Sequence, residues 1–154
     1  MSPVWVARKT GDNDVGTWSS GILESDSAQD FIDQVRGMPV EERLASVEDL
    51  LAKVAADASV INREFLPEEV VAAVAIVAAA ATKSRDFVWM NDENFLDAVH
   101  GIRRQGQLHN VALAALSEVA DGDDAFLLAG WKDDGDRAAV VRQVDEIRAV
   151  LSGV

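Results

Sequence analysis

A chain of 154 residues most simply makes one domain around one core. Hydrophobic residues at 49%, with 3 prolines and 10 glycines, exclude the disordered and repetitive classes, and the lack of cysteine excludes disulfides, thiol catalysis and thiolate metal sites. The 27 carboxylates against 14 lysines and arginines give a net charge of −13. That argues against direct binding to DNA or RNA, whose affinity comes from clustered cations, and suits a basic protein partner.

Residues 1–15 read as a non-helical N-terminal extension, in which VWVA offers a short strand or a Trp5 anchor and GDND a turn. The first ten residues hold no long apolar run, and Arg8 and Lys9 break the one present, so no secretory leader is expected and the protein reads as cytoplasmic. Residues 16–154 read as a single α-helical domain. Asp26 followed by Gln29 has capping-box spacing, so Asp26 is expected to cap a helix whose inward face is Ala28, Phe31, Ile32 and Val35. Gly37 and Pro39 end it. A second helix starts near Val40 with Glu41 and Glu42 in its first turn. Its apolar stripe is Leu44, Val47, Leu51, Val54 and Ala58, and Lys53 is placed to pair with Asp57. Residues 57–65 carry no clear periodicity.

Residues 66–83, LPEEVVAAVAIVAAAATK, dominate the pattern. Pro67 fits a first helical turn, Glu68 and Glu69 suit the positive end of the helix dipole, and no polar side chain appears from Val70 to Ala81. At 1.5 Å per residue that run is about 18 Å long, too short to cross a bilayer. A helix apolar on every face and too short for a membrane belongs at the centre of a bundle. Asn91 and Asp92 then cap a helix reaching Arg104, with Phe95, Leu96, Val99 and Ile102 inward and a kink or break between Gly101 and Gly106. Leu108, Ala112, Ala115 and Val119 mark the next helix, ended by the acidic loop at 121–124. A short helix spans 125–131, a second acidic loop 133–136, and a last helix 136–151 turns Val140, Val144, Ile147 and Leu151 inward. The fold class is therefore all-α: a compact bundle of about seven helices around a central Ala/Val-rich helix.

The stretch GTWSSGILESDSAQDF, residues 16–31, resembles the opening motif of a bacterial family catalogued as domain of unknown function 4259. Gly16, Thr17, Trp18, Gly21, Asp26, Ala28, Asp30 and Phe31 stand where that motif puts them, while Ser19 and Ser20 replace a more glycine-rich spacing. The alanine-rich central helix and Trp131 ahead of a final amphipathic helix are similar too. Members usually begin at a Met just before Gly-Thr-Trp, a place held here by Val15. The resemblance therefore implies that the residues before Val15 are an addition, or that Val15 is the initiator. It implies no activity.

Gly16, Trp18, Gly21, Asp26 and Asp30 are the candidate binding residues. Trp18, Asp26 and Asp30 would line a pocket at a helix start whose free N–H groups attract an anion. The competing reading makes Trp18 a core anchor and Asp26 a cap. His100 and His109 lack H-x-x-x-H spacing and neighbour Arg103 and Arg104, and placing Gly122 or Gly135 sixth in a calcium loop puts Leu128 or Val141 twelfth, where Glu is required. No metal or cofactor is expected. G-x-S-x-G, P-loop and dinucleotide fingerprints are absent from the sequence. The reading that follows is a non-catalytic protein-binding module, of the immunity-protein or antitoxin kind, that neutralises a basic partner. The alternative is a small-molecule binder or enzyme using the Trp18/Asp26/Asp30 helix start.

Overall fold

The structure, a computed structural model, describes residues 23, 25–61, 63–82, 93–102, 106–120 and 134–152. These form six α-helices: α1 (Asp26–Gly37), α2 (Val40–Ala56), α3 (Pro67–Ala81), α4 (Glu93–Val99), α5 (Gly106–Ala120) and α6 (Asp134–Ser152), with a 3-10 turn at Ala58–Val60. The count is six among the described residues rather than seven, because the short helix expected over 125–131 lies outside them. The non-helical extension expected over 1–15 lies outside them as well.

Helix α3 sits at the centre and touches each of the other five helices. The physical cause is its composition. Val70, Val71, Val74 and Ile76 are wholly buried, and so are Ala72, Ala73, Ala75 and Ala78. Each buried aliphatic of this size contributes about 1.5–3 kcal/mol before chain entropy is charged against it. The alanines add little volume but let neighbouring backbones approach to the short end of the usual ~8–10 Å helix spacing. At its start, Pro67 occupies the first turn and the Glu69 carboxylate accepts the Leu66 N–H at 2.8 Å. Leu66 has no side-chain acceptor to return the bond, so this is one half of a capping box.

Helices α1, α5 and α6 bury the stripes their spacing predicts. Ala28, Phe31, Ile32 and Val35 of α1 are buried, as are Leu108, Ala112, Ala115 and Val119 of α5 and Val140, Val144, Ile147 and Leu151 of α6. On α2, by contrast, Leu44 is only half-buried, Ala58 lies past the helix end and Leu50 turns inward, and on α4 Leu96 and Val99 are half-buried. Helix α6 begins at Asp134, so part of the acidic segment expected as a loop at 133–136 is helical first turn. Acidic residues suit that end of the dipole. Helix α4 is shorter than expected: it stops at Val99, and Gly101 takes φ +93°, a left-handed conformation that ends the helix at low cost only for glycine.

Two local expectations are corrected. Ser25, not Asp26, caps α1: its Oγ accepts the Ala28 N–H at 3.1 Å, and Asp26 is the first helical residue. The chain enters one residue earlier than the Asp26–Gln29 spacing suggested, and Gln29 instead donates its side-chain amide to the Leu23 carbonyl. Lys53 pairs with Asp49 at 3.3 Å rather than with Asp57. A carboxylate four residues before a lysine is the favoured order on a helix. Asp57 lies past the end of α2 in extended backbone and accepts the Ser59 N–H at 3.0 Å. The unassigned stretch thus becomes a tight turn, in which the Val60 carbonyl accepts the N–H groups of Arg63, Glu64 and Phe65.

Hydrogen bonding from Ser59 holds the Asp57 carboxyl below its ordinary range. A lowered pKa in the folded state contributes stability that is full above about pH 4 and is lost as the pH falls through the folded value.

Replacing Ala75 by Leu should overfill the centre and cost about 2 kcal/mol, or roughly 4–8 °C of thermal midpoint by circular dichroism. Ala114→Leu on the exposed face of α5 should stay within about 0.5 kcal/mol. Equal effects at the two positions would contradict the central placement of α3. Gly101→Ala should cost about 1–3 kcal/mol for the backbone alone. Its Cβ would also lie 2.5 Å from the Val40 carbonyl oxygen, and urea unfolding reads the sum.

Candidate functional site

The residues singled out by sequence divide into two groups. Gly16, Trp18 and Gly21 lie outside the described residues. Asp26 and Asp30 are described, and both are exposed on α1, one turn apart, with Asp33 continuing the same ridge. The motif positions Ala28 and Phe31 turn the other way, into the core. The helix therefore uses the apolar half of the motif for packing and presents its acidic half to solvent. Asp26 and Asp30 line neither of the clefts described below, and the cap that would have tied Asp26 to the backbone is Ser25.

The polar feature that sequence reading missed is Arg43. Its side chain is 5% exposed and sits on the core face of α2. Nη2 donates to the Arg36 carbonyl at 2.8 Å and Nε to the Met38 carbonyl at 3.2 Å, both at the C-terminal end of α1. Nη1 donates to the carbonyls of Asp97, at 2.7 Å, and His100, at 3.3 Å, at the end of α4. Helix C-termini leave carbonyls without intrahelical partners, and their partial negative charge favours a cation. One guanidinium, with donors fanned in a plane, satisfies two such ends together. Outside it the side chains of the same two residues meet: Arg36 Nε lies 3.1 Å from Asp97 Oδ2, and Asp33 adds a second contact to Arg36 at 3.2 Å. The Asp97 hydrogen bond holds the Arg36 guanidinium above its ordinary pKa. This outer pair is solvated and contributes little to stability. A signal for Arg43 was present, since it lies four and seven residues before Val47 and Leu50 on one stripe.

Two clefts open beside these helices. The smaller, about 250 Å³, has Phe31, Leu50 and Phe65 on its apolar side and Gln34, Ser46, Asp49, Glu64 and Glu69 on its polar side. Asp49 already faces Lys53, and Glu69 already accepts the Leu66 N–H. The larger, about 500 Å³, runs along the outer face of α2 and is lined by Val40, Glu41, Leu44, Ala45, Glu48 and Gly101. Among the described residues, no three His, Cys, Asp or Glu side chains gather to hold a metal ion. His100 is exposed at the end of α4 and His109 is buried within α5. Among the described residues no helix is long and apolar enough to cross a membrane.

The class this defines is an all-α bundle with an apolar central helix, an arginine joint between two helix ends and clefts edged by carboxylates. The family model for a domain of unknown function (DUF4259) matches residues 16–143, and the chain belongs to that family. No curated protein and no solved structure matches it.

Arg43→Met should remove four hydrogen bonds while keeping most of the volume, and cost about 2–4 kcal/mol. Arg36→Ala should cost less than about 1 kcal/mol. Ser25→Ala should cost about 1 kcal/mol and exceed the cost of Asp26→Ala. Chemical denaturation orders each pair, and a reversed order would return the capping role to Asp26.

Proposed function

We propose that this chain is a non-catalytic protein-binding module that acts in the cytoplasm on a basic protein, in the manner of an immunity protein or antitoxin. The supporting observation is the charge on its first two helices. Asp26, Asp30, Asp33, Glu41, Glu42, Glu48 and Asp49 are all exposed, and the cations among them are Arg36, Lys53 and the buried Arg43. A fixed helical frame with an excess of outward carboxylates steers a cationic partner and repels an anionic one, nucleic acid included. The charge of the whole chain, −13, acts in the same direction.

The test is affinity capture of the tagged full chain from its own cells, with the neighbouring genes expressed. A basic protein should be retained at low ionic strength and released as salt shortens the Debye length from about 30 Å at 0.01 M to about 3 Å at 1 M. Reversal of Asp26, Asp30 and Glu48 to lysine should weaken retention at least tenfold. Retention of no basic protein at low salt would overturn the proposal.

A further inference from the structure

We propose that the groove along the outer face of α2 is the docking site, and that its occupant is a basic helix of the partner carrying one large apolar side chain between two cations. This rests on the protein-binding reading above and names the surface it uses.

The groove is the larger of the two clefts, about 500 Å³. Its apolar lining is Val40, Leu44 and Ala45. Val40 is 48% exposed in the first turn of α2 although it is a β-branched aliphatic. Leaving such a residue in water forgoes part of the stabilisation its burial would give. Bare backbone makes the end wall. Gly101 presses so closely on Val40 that a Cβ there would lie 2.7 Å from Val40 Cγ1.

Charge selects the occupant. Among the described residues the lining contains Glu41 and Glu48 and no cation. The two glutamates are seven residues apart on one helix, about 10 Å along its axis at 1.5 Å per residue. A partner helix with lysine or arginine three or four residues on either side of an apolar anchor spans the same length. Its anchor would fill the space over Leu44 and Ala45 while its cations meet Glu41 and Glu48. A second copy of this chain, at −13, brings the wrong charge to the same groove.

The test is photo-crosslinking in the organism's own cells. A photoreactive amino acid replaces Ala45 in the full chain, and in a separate variant replaces Asp30 on α1. A double reversal, Glu41→Lys with Glu48→Lys, is then combined with the Ala45 probe. Both glutamates are exposed on α2, so this variant should fold normally, as circular dichroism would check. The proposal expects an adduct from Ala45 whose crosslinked partner peptide carries an apolar residue flanked by lysine or arginine. It also expects the yield to fall at least tenfold with the two glutamates reversed. An adduct from Asp30 and none from Ala45 would overturn the groove and leave the protein-binding reading standing. An adduct joining two copies of this chain, or a partner peptide without flanking cations, would also overturn it. No adduct at either position, together with no basic protein captured at low salt, would overturn both.

Discussion

A helix with no face for water is the constraint on which this fold depends. Twelve consecutive residues of α3, Val70 to Ala81, lack any polar side chain. A helix of that kind is stable in water only when other chain covers it on every side. Among the described residues five other helices do this, and each supplies apolar residues at helical spacing. The alternation of valine and isoleucine with alanine decides how they approach. The larger residues fill the gaps between neighbours, and the alanines let those neighbours close on the backbone. Polar residues are left for the outer surfaces and the helix ends.

The ends are where the polar chemistry concentrates. Two helices that finish near one another bring unsatisfied carbonyls into one region, which is costly without a donor. Arg43 supplies that donor to α1 and α4 together, from a third helix. Its charge is thereby hydrogen-bonded although it is almost fully buried, as a buried charge must be. The joint also sits where α4 stops, because the His100 carbonyl that accepts from Arg43 Nη1 lies one residue before Gly101. There Gly101 takes φ +93° and lies against Val40 in the first turn of α2. The groove beside Val40 follows from this arrangement: bare backbone at Gly101 closes one end, and the outer face of α2 forms the floor.

Membership of a family known only as a domain of unknown function leaves function to be argued from surface chemistry. The opening motif contributes in two ways. Ala28 and Phe31 pack inward from α1, while Asp26 and Asp30 point out. Spacings of three and four on one helix thus serve the core and the charged surface at once, because positions so spaced share a face and neighbouring positions do not.

Sequence by itself determined the all-α class, the central position of the helix Pro67–Ala81, and the inward faces of α1, α5 and α6. Each of these follows from helical periodicity, and periodicity is a property of the chain alone. It also marked Gly101 as a break, since glycine inside a helical pattern has few other uses. Only the tertiary structure decided what Arg43 does. The carbonyls it binds belong to residues up to 57 positions away, and no local pattern reports which helix ends will meet. The exchange of Asp26 for Ser25 as the cap, and of Asp57 for Asp49 as the partner of Lys53, has a shorter-range cause. Two adjacent or nearby residues can each make the bond, and the entry and exit angles of the helix choose between them. The groove is legible only in three dimensions, because Val40 and Gly101 come into contact through the packing of α4 against helices that α3 holds in place.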